Sequence, residues 1–438
     1  MKKKLICVGL SAMLAVNAFA FTACGGKSTR LGEPKAVEAV DYRALLTEDY
    51  KTFQNSVEAF AADFAAFSYS DDQRQENFAV SPISVYMALA LSSECAAGNT
   101  REEILHALGV THGQLQTHYS TLYRSLSVEN KADDQTISLL NLSNSIWVNE
   151  GTQVNQPCIE SLSNDYYAYS YSADFKQDNQ RANQAVRDFV KKQTKGLIDK
   201  NFELSEETLF TLINALYLKT IWNTDGKDLP FASGEYPFTA KDGSVKNVQL
   251  LQGYYFGGRA VAFDTFTTFY TQSHDGYKIK FLLPKDGYSI DEVFTSENLA
   301  AVNAITDYGI YDESTERNYA TRVLFPEYKC KYDADLVEIL QKKFGIDLLF
   351  QDPGITSPAC DFSTLSNEPC YCDKIRHVTD LTVNKKGIEG AAVTVLAMGE
   401  ATSAEPPICE DFIVNRSFGF ILTDKNDVTL FSGVVNNL

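Results

Sequence analysis

Residues from about 43 to 438 run without a Pro/Gly/Ser-rich linker, a low-complexity segment or an internal repeat. A chain of 438 residues could hold two or three domains, but domain boundaries usually fall in such linkers. We therefore predict one large domain over residues 43–438. The order of helices and strands within it then decides the fold class.

Helical patterns dominate the first part of this stretch. Apolar residues recur at helical spacing over residues 44–68. Ser81 and Pro82 suit the N-cap and the first turn of a second helix. Its mostly apolar body, Ile83–Ala97, predicts a helix that is buried on all sides and ends at Gly98.

The remaining elements point to an α+β fold. Thr100–Glu103 indicates a capping box for a third helix that ends at Gly109. Two later segments, residues 181–194 and 333–344, also have helical patterns. Strand-like runs follow and crowd the C-terminal quarter, at residues 138–149, 209–222, 277–283, 320–326, 379–383, 388–397, 412–423 and 428–435. Helices early and strands late favour α+β over alternating βαβ units.

The N-terminus has the pattern of a secretory signal. Met1–Lys4 is basic, and Leu5–Phe21 is mostly apolar and too short for a stable membrane span. The sequence Phe21-Thr22-Ala23-Cys24 is similar to the cleavage site of bacterial lipoproteins. We predict a lipoprotein signal peptide over residues 1–23 and lipidation of Cys24, with ordinary secretion and cleavage nearby as the alternative.

Residues 24–42 are predicted to be a flexible tether between the lipid and the domain. Cleavage before Cys24 removes three lysines and changes the formal net charge from −18 to −21. So acidic a protein is not expected to bind nucleic acid or an anionic membrane by charge. The expected location is the cell surface, with the lipid as the only membrane attachment.

Nine cysteines are present, of which Cys7 leaves with the signal and Cys24 is the anchor. The seven that remain are Cys95, Cys158, Cys330, Cys360, Cys370, Cys372 and Cys409. An odd number leaves at least one thiol free, and either free thiols or one or two disulfides fit the sequence. The Cys370-Tyr371-Cys372 spacing is too tight for a zinc pair and has no histidine cluster, so no metal is expected.

Sequence motifs of enzymes are missing from this chain. It contains no Gly-x-Ser-x-Gly elbow, His-Glu-x-x-His, phosphate-binding loop or dinucleotide fingerprint. The five histidines are scattered, and no carboxylate pair stands out among the many acidic residues. We therefore predict a protein that is not an enzyme and needs no cofactor.

The segment after Gly387 resembles a strand that could enter the centre of a sheet. Successive side chains of a strand point to opposite faces. The uncharged face carries Ile388, Gly390, Ala392, Thr394 and Leu396. The opposite face carries Glu389, Ala391, Val393, Val395 and Ala397. No proline before Glu405 blocks ladder hydrogen bonds. An ordinary strand that already belongs to a sheet is the alternative.

Several ordered blocks over nearly the whole mature chain are similar to those of the serpin family. They are Asn77–Ser84, Met87–Ala90, Gly98–Thr100, Asn144–Val148, Thr194–Ile198, Ile213–Lys219 with Trp222, Leu282–Pro284, Leu324–Tyr328, Phe344–Ile346, Ile375–His377, Val383–Gly387, Asn415–Phe418 and Leu430–Asn436. Each block alone is weak evidence for the family, but all blocks together and in this order are highly specific for it.

The resemblance implies a monomeric α+β protein in which a bundle of helices packs on three β-sheets and exposes a reactive-centre loop. It also implies irreversible suicide inhibition of extracellular serine proteases. The cut loop inserts into a sheet as a new strand and traps the acyl-enzyme. The alternative is a non-inhibitory binding or adhesion protein that proteases cleave as a substrate.

Site residues follow from the same resemblance. The hinge is formed by Lys386, Gly387, Ile388, Glu389, Gly390, Ala391 and Ala392. The shutter, a polar set beneath the point where the sheet opens, is formed by Ser81, Ser84, Asn214 and His377. Trp222 lies in the breach, where insertion starts. The alternatives are unrelated core or cap residues and, for His377, a hydrolase dyad with a serine. None of these roles is catalytic, because the covalent chemistry belongs to the protease.

Three features of the hinge depart from the family pattern. Ile388 stands where Thr or Ser is usual, Gly390 stands where Ala is usual, and Lys385-Lys386 replaces an acidic pair. An apolar, β-branched Ile388 suits a strand but must fit a tight site. These changes affect how fast the cut loop inserts. If insertion is slow, the protease completes hydrolysis and the protein behaves as a substrate.

The reactive bond is predicted by counting fourteen residues from Gly387, which gives Ala401–Thr402. Counting back from the C-terminal blocks gives Ser403–Ala404 instead. We prefer the first count, because the length of the inserted strand is physically constrained. Both place a small residue at the primary specificity position, which suits the shallow apolar pocket of an elastase-like protease.

Overall fold

The computed structural model describes residues 28–72, 75–132, 135–222, 228–256, 258–305, 308, 311–312, 317–318, 320–389 and 409–438. The α-helices of this part are α1 (Glu48–Asp72), α2 (Pro82–Cys95), α3 (Gly98–Leu108), α4 (His112–Leu126), α5 (Gln156–Asn164), α6 (Asn179–Gln193), α7 (Ile290–Val293), α8 (Ser296–Asn303) and α9 (Val337–Phe344). Short 3-10 helices lie at Ala44–Leu46 and Leu348–Phe350.

The strands of the described residues are β1 (Thr29–Gly32), β2 (Phe78–Val80), β3 (Val128–Ala132), β4 (Gln135–Asn149), β5 (Ala168–Ala173), β6 (Phe210–Ile221), β7 (Tyr236–Thr239), β8 (Val245–Val248), β9 (Leu251–Phe256), β10 (Val261–Ala262), β11 (Phe266–Gln272), β12 (Lys278–Pro284), β13 (Tyr311–Asp312), β14 (Arg317–Asn318), β15 (Ala320–Phe325), β16 (Tyr328–Asp335), β17 (Arg376–Asn384), β18 (Gly387–Glu389), β19 (Cys409–Ile413), β20 (Phe418–Thr423) and β21 (Thr429–Val435).

These strands form three main sheets. Sheet A has the order β1-β5-β4-β6-β18-β17-β16, and β3 also pairs with β4. Sheet B has the order β10-β11-β12-β20-β21-β2, and sheet C has the order β19-β15-β9. Two hairpins, β7–β8 and β13–β14, complete the described strands. Together with the helices, these sheets confirm the predicted α+β class.

Helix α2 lies between sheets A and B. It contacts β4 and β6 on one side and β21 on the other, and all its residues are buried. The prediction of a helix buried on all sides is therefore confirmed. Its only charged residue, Glu94, accepts hydrogen bonds from Ser161 Oγ at 2.8 Å and Tyr166 Oη at 3.2 Å and lies 3.0 Å from His112 Nε2.

Helix α6 covers the other face of sheet A. Phe189 of α6 packs in one buried cluster with Trp147 of β4 and with Ile213 and Ala215 of β6. The neighbouring residues Leu212 and Leu216 of β6 belong to the main core on the α2 side. Because side chains alternate along β6, Asn214 also points towards α2. The centre of sheet A is thus covered on both faces.

Some local predictions are wrong. Residues 24–42 were expected to be a tether, but Thr29–Gly32 forms β1 and pairs with β5. The capping box at Thr100 does not form, because α3 already begins at Gly98 and Thr100 Oγ1 accepts the Asp361 N–H at 3.0 Å. For the same reason Gly98 is not the end of α2, which stops at Cys95.

Two predicted elements also have different bounds. The helix predicted over residues 333–344 begins only at Val337, because the preceding residues belong to β16. The predicted strand over 412–423 is two strands, β19 and β20, which belong to different sheets. No helix among the described residues combines the length and the apolar character needed to cross a membrane.

Candidate functional site

The candidate site begins where β18 enters sheet A between β6 and β17. Gly387, Ile388 and Glu389 pair with Asn384, Val383 and Thr382 of β17, and with Ile221, Thr220 and Lys219 of β6. Gly387 has a φ of 153°, and a Cβ there would lie 2.0 Å from the Thr220 carbonyl oxygen. Only glycine fits this close approach.

The side chains of β18 alternate between the two faces of the sheet. Ile388 is fully buried on the core side, whereas Glu389 lies on the opposite face and is half-buried. Tyr217 Oη donates a hydrogen bond of 3.5 Å to Glu389, and burial raises the pKa of this carboxyl. The Ile388 side chain thus fits the core side of the sheet. The charged Glu389 side chain stays outside the core, as the alternation of side chains predicts.

Early residues of the predicted hinge lie inside the sheet. Gly387 and Ile388 are already buried in the sheet. An apolar Ile388 gains by leaving water, and its two neighbouring strands supply the backbone hydrogen bonds it needs. The hinge residues Gly390, Ala391 and Ala392, the bond Ala401–Thr402 and Cys24 lie outside the described residues.

Trp222 fixes the turn that leads into β18. Its indole Nε1 donates a hydrogen bond of 2.7 Å to the Asn384 carbonyl oxygen, and its ring is buried against Phe325. The next peptide is held by Glu327, whose carboxylate accepts the Lys385 N–H at 2.8 Å. The side chain of Lys386, which follows, is exposed. Trp222 therefore lies where the chain turns into the sheet.

Beyond β18 the two flanking strands border a shallow indentation with a cavity volume of about 10 Å³. Within the described part of the chain, β6 and β17 are connected only through β18. The indentation is lined by Ser81, Ser84, Ile198, Asn214, Leu216, His377, Val378, Thr379, Asp380 and Phe431. It therefore brings together all four residues of the predicted shutter.

Hydrogen bonds link the shutter residues to the core. His377 Nε2 accepts the Ser81 backbone N–H at 3.0 Å, and the hydroxyls of Ser81 and Ser84 lie 2.9 Å apart. Asn214 Nδ2 donates to Asn144 Oδ1, and Asn144 Nδ2 donates to Tyr119 Oη at 2.9 Å. Asn214 Oδ1 has no partner among the described residues.

The protonation of His377 follows from these contacts. Because Nε2 accepts a hydrogen bond, the neutral ring carries its proton on Nδ1. Burial lowers the pKa of His377 to about 4, and the negative charge of Asp333 on the neighbouring strand opposes this shift without cancelling it. His377 therefore stays neutral at physiological pH.

The arrangement excludes a serine–histidine dyad at this position. A general base must accept a hydrogen bond from the nucleophile, but His377 Nε2 is occupied by a backbone N–H, and Ser81 Oγ bonds Ser84. Among the described residues, no group of three or more His, Cys, Asp or Glu side chains could hold a metal ion.

Two contributors to the site were missed from the sequence. Asn144 and Tyr119 extend the polar network of Asn214 into the core. Asn144 begins one of the blocks similar to serpins, and this was the available signal. Tyr119 lies on α4, and its part in the network depends on packing that the sequence pattern does not give.

The pKa of His377 leads to a prediction about pH. Since the folded state binds this proton less readily than the unfolded chain, the stabilising contribution is complete above about pH 6.5 and is lost as pH falls towards 4. We expect the free energy of unfolding of the wild type, relative to His377→Gln, to fall by about 2–3 kcal/mol between pH 7.5 and 4.5. Urea unfolding curves of both proteins at the two pH values measure this change.

The comparison with His377→Gln is needed because other buried ionisable groups change the free energy of unfolding with pH in the opposite direction. Burial raises the pKa of Glu58 to about 7 and that of Asp424 to about 6, so both carboxyls add stability on acidification. His106→Gln, at an exposed position, is the control for replacing a histidine. A difference between wild type and His377→Gln that does not change with pH would contradict the prediction.

Comparisons with known proteins agree with this geometry. A family model described as Serpin (serine protease inhibitor) matches residues 55–438. Neuroserpin from Homo sapiens is 24% identical over 376 residues, which cover 82% of this chain and 86% of that protein. Alpha-1-antiproteinase from Ovis aries is 25% identical over 413 residues, which cover 89% of this chain and 91% of that protein.

Solved structures share the fold. The native state of Tengpin, a thermophilic serpin, has a TM-score of 0.74 at 21% identity and covers 94% of this chain and 100% of its own. Serpin48 of the insect Tenebrio molitor has a TM-score of 0.70 at 22% identity, covering 90% of this chain and 100% of its own. Since the family model spans most of the sequence and the same fold occurs in solved serpins, the protein belongs to the serpin family.

Proposed function

We propose that this serpin is an irreversible suicide inhibitor of an extracellular, elastase-like serine protease. Serpins target serine proteases and are inhibitors rather than enzymes. The observation that carries the proposal is the position of β18, which already pairs with both β6 and β17, the two strands that no other described strand connects.

The register of β18 predicts where the rest of the loop goes after cleavage. If the pairing of Ile388 with Val383 and Thr220 continues, Ala392 comes to lie between Thr379 and Leu216. Two residues later, Thr394 comes to lie between His377 and Asn214. The even-numbered residues from Ile388 to Met398 then face the core, and this face is uncharged.

Thr394 is well matched to this position. Its hydroxyl could donate to Asn214 Oδ1, the acceptor that has no partner among the described residues. A buried polar group with a hydrogen-bond partner avoids a cost of roughly 1–3 kcal/mol. Insertion would thus satisfy a group that has no partner among the described residues, in addition to forming new backbone hydrogen bonds on both sides of the strand.

The length of β6 supports the predicted cleavage position. In the continued register, Met398 is the last loop residue with a partner, Phe210, at the end of β6. A cut before Met398 would leave part of β6 without a partner strand. A cut after Ala401 supplies the full strand, which is about 40 Å long, and three further residues that bear the protease.

The covalent steps belong to the target protease. Its serine oxygen attacks the Ala401 carbonyl carbon, the bond to the Thr402 nitrogen breaks, and the new amine takes the proton that the protease histidine received from the serine. Strand insertion then carries the acyl-enzyme across the inhibitor. Trapping requires that insertion is faster than attack of water on the ester, so the seated hinge favours inhibition.

The proposed location is the bacterial cell surface, with a lipid on Cys24 as the anchor and residues 1–23 removed. The signal pattern of the N-terminus supports this location. The second candidate function is a binding or adhesion protein that is cleaved as a substrate. Gly390 favours it, since a glycine weakens a strand and slows insertion.

Loop cleavage is expected to raise the melting temperature. Insertion adds a central strand to sheet A, and a gain of several kcal/mol corresponds to an increase of roughly 5 °C in a domain of this size. Thermal unfolding of the intact chain is compared with that of the chain cut in the loop by a metalloprotease. Coinciding melting curves would mean that the loop does not insert.

A charge on the inserting face is expected to convert the inhibitor into a substrate. Ala392→Arg buries an unpaired guanidinium between Thr379 and Leu216, whereas Val393→Arg places the same group on the opposite face. We expect at least a tenfold loss of denaturant-resistant complex for Ala392→Arg only, measured on gels with pancreatic elastase. Equal complex formation by both variants would rule out the assigned faces.

The reactive bond is expected to be Ala401–Thr402. Mass spectrometry after reaction with elastase should find a released peptide that begins at Thr402, and Ala401→Arg should shift inhibition towards trypsin, whose pocket is acidic. A peptide beginning at Gly399 would move the expected target towards chymotrypsin-like enzymes. Inhibition of trypsin but not elastase by the wild type would overturn the assignment.

A further inference from the structure

A group of buried thiols lies far from the hinge and takes no part in loop insertion. The six cysteines whose side chains the structure describes are all free and buried. Five of them lie close enough to influence one another electrostatically, in the chain Cys95–Cys158, Cys95–Cys370, Cys360–Cys370 and Cys360–Cys372. The sixth, Cys330, lies on β16.

Two of these thiols lie where two helices pack together. Cys95 is the last residue of α2, and Cys158 lies in the first turn of α5, which packs against α2. Ser161 of α5 donates a hydrogen bond of 2.8 Å to Glu94, the residue before Cys95, and both cysteine side chains belong to the main core, with exposures of 0% and 4%. The helices therefore bring close together two buried thiols that are 63 positions apart in the sequence.

We propose that Cys95 and Cys158 form a disulfide that cross-links α2 and α5 when the chain folds in an oxidising environment. The oxidant is an external disulfide, either of a small molecule or of an oxidising protein. One cysteine thiolate attacks it and forms a mixed disulfide, releasing one thiolate. The second cysteine then displaces the other half, so two thiols lose two protons and two electrons, and the external disulfide becomes two thiols.

The crosslink must form before the two helices have closed. In the folded protein the neighbouring Cys158 side chain, burial and the nearby Glu94 carboxylate raise the pKa of Cys95, and an external disulfide has no access to the buried pair. In the unfolded chain the thiols ionise normally and are accessible. The redox state present during folding is therefore retained afterwards, and a formed disulfide is protected from reductants.

The crosslink would stabilise one side of sheet A. Helix α5 lies between β4 and β5 in the chain and packs against β5 and β1. Tying α5 to α2 fixes these strands to the core helix. Closing a loop of about 60 residues also restricts the unfolded chain, and disulfides of this kind raise the melting temperature. This inference does not depend on whether the protein inhibits proteases.

The test compares the full chain refolded from the reduced, unfolded state with oxidised or with reduced glutathione. Remaining thiols are alkylated in denaturant, and the crosslinked peptides are identified by mass spectrometry. We expect a Cys95–Cys158 crosslink only in the oxidised sample, and a melting temperature several degrees above that of the reduced sample. Cys95→Ser and Cys158→Ser should abolish this difference, whereas Cys330→Ser, a buried control, should retain it.

Three results would overturn the proposal. These are six alkylated core thiols after oxidative refolding, a crosslink that joins Cys370 to Cys95 or Cys158 in place of the proposed pair, and equal melting temperatures of the crosslinked and reduced proteins. Peptide mapping of the wild type decides the first two even if the serine variants do not fold.

Discussion

The pairing of Gly387, Ile388 and Glu389 with both β6 and β17 is the contact on which the rest of the site depends. It joins β6 and β17 at one end of sheet A, and within the described residues these two strands have no direct pairing with each other. It also fixes the register of any continuation, because a slip by one residue would turn Glu389 towards the core. Gly387 makes this possible, since its missing Cβ lets the chain pass against the Thr220 carbonyl.

The buried polar residues beneath the gap are arranged for two states of the sheet. Buried His377 remains neutral and accepts the Ser81 N–H, and the hydroxyls of Ser81 and Ser84 bond to each other, so these polar groups already have partners within the described residues. Asn214 is satisfied on one side only, through Asn144. Asn214 Oδ1, the acceptor without a partner among the described residues, therefore lies where an inserting strand would meet it.

Helix α2 connects the two regions of interest. Its N-terminal end carries Ser81 and Ser84 beneath the gap, and its C-terminal end carries Cys95, about 20 Å away at 1.5 Å per residue. Because the helix is buried on all sides between sheets A and B, it serves as a fixed support for the strands that must separate. The Cys95–Cys158 contact therefore bears on the rigidity of this support and leaves the hinge itself untouched.

The amino-acid sequence by itself determined the family and the α+β class, through ordered blocks such as Asn77–Ser84 and through the alternation that assigns Ile388 and Glu389 to opposite faces. Alternation is a local property of an extended chain, so it can be read without the fold. Only the tertiary structure decided that the hinge is already seated, that Thr100 is no N-cap and that residues 29–32 join sheet A. These outcomes depend on contacts between residues distant in sequence, such as Gly387 with Thr220, Thr100 with Asp361 and Gly32 with Ser170, and no local pattern encodes them.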